Sequence, residues 1–152
     1  MMHRGNRLTI GLVVLGVLGV VLAGCGPSGA SADPPSPAQL APVQGSNLSR
    51  VTLTAEAVER IGLQTASVQQ LPAPDTGATM AVPLKAVLYL SDGTTWVYAV
   101  TAARSYVRQS VTIARISGDN ALLRTGPAPG TDVVTTGAAE LLGSELGVAG
   151  GQ

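Results

Sequence analysis

Phenylalanine is absent from these 152 residues, and the other aromatics number one Trp and three Tyr. A core must therefore be built from Val, Leu, Ile and Ala. Such an interior is thin: at about 100 folded residues, roughly 60 to 70 per cent of the unfolded surface is buried. Charge is scarce too, with nine Lys+Arg against nine Asp+Glu. That balance, without a basic patch, gives no electrostatic reason to expect nucleic acid as a partner. A single cysteine excludes an internal disulfide. What abounds is Gly, Pro, Ala, Val and Thr, a composition suited to a small β-domain with many turns.

The N-terminus reads as an export signal. Met1 to Arg7 contains His3, Arg4 and Arg7, and Leu8 to Ala23 is an uncharged apolar run. This run is shorter than the roughly 20 apolar residues that span a bilayer, so residues 1–24 are read as a processed signal peptide. Leu22-Ala23-Gly24-Cys25 resembles the bacterial lipobox at all four positions. The resemblance implies a diacylglyceryl group on the Cys25 thiol and cleavage just before it. Two or more acyl chains anchor a protein stably. The expected partner of Cys25 is thus membrane lipid, and the expected location is the cell envelope, on the outer face of the cytoplasmic membrane or in the periplasm. Loss of Arg4 and Arg7 leaves seven basic and nine acidic residues, a net charge of −2, and the only histidine leaves with them.

Residues 25–49 hold Pro27, Pro34, Pro35, Pro37 and Pro42 among Gly, Ser, Ala and Gln, with Asp33 the only charge. Without periodicity or apolar density, the segment reads as an extended tether. Residues 50–146 are then the folded domain and 147–152 a frayed tail.

Within that domain, Arg50 to Leu53 predicts a short strand and Ala55 to Ile61 a helix. Thr54 is placed as its N-cap, Glu56 in its first turn, and Gly62 at its end. Leu63 to Gln70 is strand-like, and Leu71 to Thr79 is a loop with Pro72, Pro74 and Gly77. Ala86 to Leu90 and Thr95 to Thr101 form a hairpin across Ser91-Asp92-Gly93-Thr94, where Asp-Gly supplies the positive φ of a tight turn. Tyr106 to Ile116 is one longer strand with a bulge or an edge position. Ala121 to Thr125 and Asp132 to Thr136 complete the strands, and Gly137 to Gly143 is a single helical turn. Strands at this spacing with glycine turns predict a mainly β fold, a small antiparallel barrel or sandwich with one short N-terminal helix.

Reactive constellations are missing from the pattern. There is no nucleophile elbow, no P-loop, no dinucleotide fingerprint and no mature histidine to serve as a base. Beyond the signal only Met80 remains as a methionine, so neither a metal site nor a cofactor is expected. Asp75, Asp92, Asp119 and Asp132 stand in turn contexts that call for Asx hydrogen bonding. Trp96, Tyr98, Tyr106 and Arg108 are the candidate docking surface, with cross-strand sheet packing as the alternative use of the aromatics. Arg104, Arg108, Arg115 and Arg124 make one basic face if their strands align.

The order of these pieces resembles a known family. Leu53 to Gln69, LTAEAVERIGLQTASVQ, is similar to the segment that opens many periplasmic adaptor (membrane fusion, HlyD-type) proteins of efflux pumps. Val82-Pro83 with Ala86-Val87, Gly93 with Val97-Tyr98-Ala99-Val100, Val107-Arg108 with Val111-Thr112, and Gly126 with Gly130, Asp132, Val133 and Val134 resemble, in order, their membrane-proximal β-domain. The lipoyl, helical-hairpin and barrel domains of such adaptors do not fit between Gln70 and Thr79. The resemblance implies a non-enzymatic accessory subunit that docks on an inner-membrane transporter or on adaptor subunits. A lipid-anchored binding module for a cell-wall or small hydrophobic ligand is the alternative.

Overall fold

The computed structural model describes residues 36–72 and 77–147. Along them run β1 (Ala38–Pro42), β2 (Ser49–Leu53), helix α1 (Ala55–Ile61), β3 (Gln64–Ser67), β4 (Gln69–Gln70) and β5 (Met80–Pro83). A 3-10 turn (Leu84–Ala86) follows, then β6 (Leu88–Tyr89), β7 (Thr95–Ala102), β8 (Ser105–Ser110), β9 (Thr112–Ser117), β10 (Asn120–Thr125), β11 (Asp132–Thr136) and helix α2 (Ala138–Glu145). The signal peptide, the lipobox with Cys25, Asp75 and the tail from residue 148 lie outside the described residues.

The fold is mainly β, as predicted, and it is a sandwich of two antiparallel sheets, with no closed barrel among the described residues. The larger sheet has the order β1-β2-β8-β7-β11-β3, with β6 beside β7, and the smaller has the order β4-β5-β10-β9. Apolar runs such as Val97-Tyr98 and Val133-Val134 show how the layers stack. Val97 and Val133 point into a core shared with Val82, Ala121 and Leu123 of the smaller sheet. Tyr98 and Val134 point the opposite way, into a second core under α1 and α2 with Val51, Tyr106, Ala138 and Leu141. The centre of the larger sheet is therefore buried on both faces, which is why β7 and β11 lack polar alternation. Fully burying one such Val or Leu stabilises by about 1.5–3 kcal/mol, so a chain without Phe reaches stability by using both faces.

Helix α1 begins and ends where its sequence dictates. The Thr54 hydroxyl accepts from the Ala57 N–H at 3.1 Å, and Gly62 takes the left-handed conformation (φ 61°) that closes the C-terminus. The cap and the first-turn backbone also lower the Glu56 carboxyl, whose largest stabilisation comes from its own backbone N–H and next from Thr54.

Five expectations are corrected by tertiary context. The tether does not extend to residue 49: β1 pairs with β2 from Ala38↔Leu53 to Pro42↔Ser49. That strand is nearly all exposed, so hydrogen bonding to β2, rather than burial, holds it, and apolar density could not reveal it. Pro42 is tolerated because β1 is an edge. Leu63 to Gln70 divides at Val68, which is buried between the sheets while its neighbours join different ones. Tyr106 to Ile116 likewise breaks at buried Val111, whose N–H donates to the Thr95 carbonyl at 2.9 Å, so β8 and β9 belong to opposite sheets. The first arm of the hairpin is shorter than Ala86 to Leu90: Ala86 closes the 3-10 turn, and only Leu88↔Trp96 and Tyr89↔Thr95 pair; β7 finds its long partner in β8 instead. Finally, there is a second helix: α2 runs eight residues to Glu145, not one turn to Gly143.

Candidate functional site

The turn joining β6 to β7 forms as its residues require. Gly93 has φ 80°, its N–H donates to the Leu90 carbonyl at 2.9 Å, and Asp92 accepts from the Thr94 hydroxyl and N–H at 2.6 and 2.9 Å. Those two Thr94 bonds, the hydroxyl first, hold the Asp92 carboxyl below its ordinary range. The Thr94 hydroxyl oxygen also accepts from the Trp96 ring N–H at 2.7 Å, which fixes the indole against the turn.

Alternation along β7 then places Trp96, Tyr98 and Val100 on the helix-covered face, and β8 presents Ser110, Arg108 and Tyr106 opposite them. All four candidate docking residues thus share one face, but not one environment. Tyr98 is 0 % and Tyr106 is 4 % exposed, both beneath the helices. They are core, not docking surface, because α2 and α1 cover the sheet where they stand. Burial raises the Tyr106 phenol, with Arg104 opposing. Only Trp96 and Arg108 reach the margin of this layer, and both are partly buried.

Glu145, which no local motif marks, organises the polar centre of the layer. Its Oε2 accepts from the Tyr98 hydroxyl at 2.5 Å, and its Oε1 accepts from Arg108 at 3.3 Å and from the Ser49 N–H at 3.4 Å. The Arg108–Glu145 ion pair has side chains only 12 % and 4 % exposed. Arg108 also lies over the Trp96 ring, 4.5 Å from its centroid, and its buried Nε has no hydrogen-bond partner among the described residues. Stacking on the ring face offsets part of that loss. A carboxylate in the last turn of a helix opposes the helix dipole by about 0.3–1 kcal/mol, so these contacts, not α2 itself, hold Glu145 in place. Burial, followed by the hydrogen bond and charge of Glu145, pushes the Tyr98 phenol far up. The four residues Trp96, Arg108, Glu145 and Tyr98 therefore form a closed structural array rather than a reactive one.

The four arginines do not form one basic face. Arg108 is committed to Glu145 in the larger sheet, Arg104 sits in the β7–β8 turn, and Arg115 and Arg124 lie on β9 and β10 of the smaller sheet. Met80 is buried in the inter-sheet core. Among the described residues, no three His, Cys, Asp or Glu side chains gather as for a metal ion, and no helix is long and apolar enough to cross a membrane.

Among the described residues, two concavities with mostly apolar walls could receive a partner. The first is a groove of about 610 Å³ between the β6–β7 hairpin and β9, walled by Tyr89, Thr95, Trp96, Val111, Ile113 and Ile116. Tyr89 is 61 % and Ile116 52 % exposed there. The second is a cleft of about 400 Å³ between α1 and α2, walled by Pro37, Leu53, Ala57, Ile61 and Leu141, with Arg60 and Glu140 as its charged members. Sequence reasoning singled out Trp96 but missed Tyr89, Ile113 and Ile116. An apolar residue beside a predicted turn was the available signal for Tyr89. Compared with known proteins, the chain matches no protein-family model and no curated protein.

Proposed function

We propose that this chain is a non-enzymatic, lipid-anchored protein of the cell envelope that docks on a membrane transporter as an accessory, adaptor-like subunit. The observation that carries the reading is the apolar hairpin end, where Tyr89 and Ile116 stand more than half exposed beside Trp96. Isolated exposed apolar residues are ordinary, but a contiguous apolar groove is the mark of an interaction surface. The groove lies at the Thr95 end of β7, whereas the chain from Cys25 enters at the other end, where Ala38 pairs with Leu53 and Thr52 with Ser105. Ten residues lie between Cys25 and Ser36, so a lipid on Cys25 keeps Ser36 within about 40 Å of the membrane surface. An eight-residue strand spans roughly 25 Å, so the groove and the point of chain entry lie at opposite ends of β7. The ordered resemblance to adaptor membrane-proximal domains supports the same partner. Glu145, Arg108 and Tyr98 are used on one another, which favours contact over chemistry as the mode of action.

In-cell photo-crosslinking from position 89 is expected to capture an inner-membrane transporter subunit, and the same probe at exposed Leu146 is not. Recovery of the same bulk envelope proteins from both positions would overturn the reading. Anchoring is tested separately by Cys25→Ser, which should abolish fatty-acid labelling of the chain.

One observation favours the alternative of a binding module. The α1–α2 cleft is largely apolar and lies in the size range of small-molecule sites. A rise in melting temperature with a hydrophobic ligand, cancelled by Ala57→Leu but not by changes at Tyr89, would select that function.

A further inference from the structure

We propose that the free edge of β9 receives an extended polypeptide segment, which adds as a fifth strand to the smaller sheet with apolar side chains inward and an acidic one outward. This rests on the reading of the hairpin end as a docking surface and gives the docking segment its chemistry.

Among the described residues β9 pairs with β10 alone. Alternate N–H and C=O groups on its other side therefore meet no strand. The remaining sheet edges are blunted: β1 ends in Pro42, β3 is four residues long, and β4 and β6 are two each. β9 is six residues, Thr112-Ile-Ala-Arg-Ile-Ser117, with no proline and one charge. Natural proteins seldom leave such an edge bare.

A bulge shapes what lies beneath it. Pairing steps from Leu122↔Arg115 to Leu123↔Ile113, so Ala114 is an extra residue on β9. As a result, Ile113 stands opposite Leu123 and Ile116 opposite Ala121, and both partners belong to the inter-sheet core. Two isoleucines three positions apart would face opposite ways in a regular strand; here both face inward. Ile113 packs on the core, but Ile116 reaches past it, and the groove beside Tyr89 and Trp96 is the open side of the sandwich.

The occupant is identified by what it must satisfy. A small apolar molecule or an acyl chain would fill the groove but leave the ladder groups to water. An extended polypeptide satisfies both, through its own ladder and through every second side chain. Arg115 decides the charge: it stands opposite Leu122, which packs with Ala78 and Ala81 on the outer face of the sheet, and it is exposed with no ion pair among the described residues. An outward acidic residue of the added strand would lie beside it.

The test uses the full chain in detergent micelles and a synthetic peptide of about eight residues, the length of a strand, alternating valine and threonine with one threonine replaced by aspartate. Binding should slow amide exchange in Thr112–Ser117 roughly tenfold or more. N-methylation of alternate backbone nitrogens, which leaves the side chains intact, should weaken binding at least about tenfold, as should Ile116→Lys at an already exposed position. Arg115→Glu should transfer preference to a peptide with lysine in place of aspartate. No binding, equal binding of the N-methylated peptide, or protection located away from β9 would overturn the inference. A dimer that Ile116→Lys dissociates would assign the edge to a second copy and overturn it as well. If the peptide protects β9 but crosslinking from position 89 captures no transporter subunit, strand addition stands and the transporter reading falls. Capture of a subunit without protection of β9 in its presence does the reverse.

Discussion

Glu145→Ala removes one carboxylate from three partners at once, which makes it the sharpest probe of how the helical layer is held. The Tyr98 side chain is fully buried, so its hydroxyl would lose its acceptor in a place that water does not reach. An orphaned buried hydroxyl costs about 1–3 kcal/mol. Arg108, only 12 % exposed, would lose its counter-charge, and breaking a buried ion pair by deleting one member costs about 3–5 kcal/mol. These costs overlap because they act through one group, and relief of the unfavourable acid in the last turn of α2 returns about 0.3–1 kcal/mol. A net loss of about 3–4 kcal/mol is expected, a large part of the roughly 5–15 kcal/mol total of an ordinary domain. For a domain of this size that corresponds to a melting temperature lower by roughly 12–30 °C. Tyr98→Phe, which leaves the ion pair in place, should cost only about 1 kcal/mol. Because the two act through the same hydrogen bond, the double variant should fall short of the sum by about 0.5 kcal/mol or more. Urea unfolding read by Trp96 fluorescence measures all three, since the only Trp lies 4.5 Å from the Arg108 guanidinium. A Glu145→Ala loss below about 0.5 kcal/mol, or strictly additive variants, would refute the role assigned to this carboxylate. The functional corollary is that α2 also walls the 400 Å³ cleft through Leu141 and Ser144, so loosening Glu145 should change access to it.

Alkaline pH should weaken the fold through the same array. Burial first, and then Glu145, raise the Tyr98 phenol above its ordinary 10.0, and burial raises Tyr106. Both favour the protonated form in the folded state. Their contribution is whole below pH 10 and is lost as pH rises beyond the point where the unfolded chain ionises. Urea midpoints followed upward from about pH 9 should decline less steeply for Tyr98→Phe, and an unchanged slope would contradict this. Arg104 is the one non-glycine residue at positive φ among those described, at 56° in the β7–β8 turn. Arg104→Gly should stabilise by about 0.5–1 kcal/mol after the entropic cost of glycine; a net loss would assign the side chain a contact that matters. Gly137 has φ 94°, and a Cβ there would meet Ile61 Cδ1 at 3.2 Å. Gly137→Ala should therefore cost about 1–3 kcal/mol, and a neutral result would mean that α1 and α2 can separate freely at this point.

How much of this was legible in the residue order depends on the range of each interaction. Thr54, Glu56 and Gly62 specify α1 to the residue because capping bonds span three or four positions. Asp92-Gly93 specifies its turn for the same reason. The strands Asn120–Thr125 and Asp132–Thr136 follow from short runs, Leu-rich in the first and β-branched in the second, set off by the Gly118 turn and the Gly126-to-Gly130 loop, and with them the mainly β class. Glu145 was not legible: its partners Arg108, Tyr98 and Ser49 lie 37, 47 and 96 positions away, and nothing in the local pattern of α2 distinguishes it from a solvated acid. The same holds for the breaks at Val68 and Val111. Each is one apolar residue in a strand-like run, and only the presence of a second sheet to receive it turns the run into a corner. Tyr98 and Tyr106 could be read as surface or as core until the helices were seen to lie on their face. Ile116 looked like one more alternating position until the bulge at Ala114 turned it inward. Interactions a few residues long are written in the order of the chain. Which faces are covered, and which edge is left bare, follows from sheet order and register, and those are properties of residues far apart in sequence that meet only when the whole domain folds.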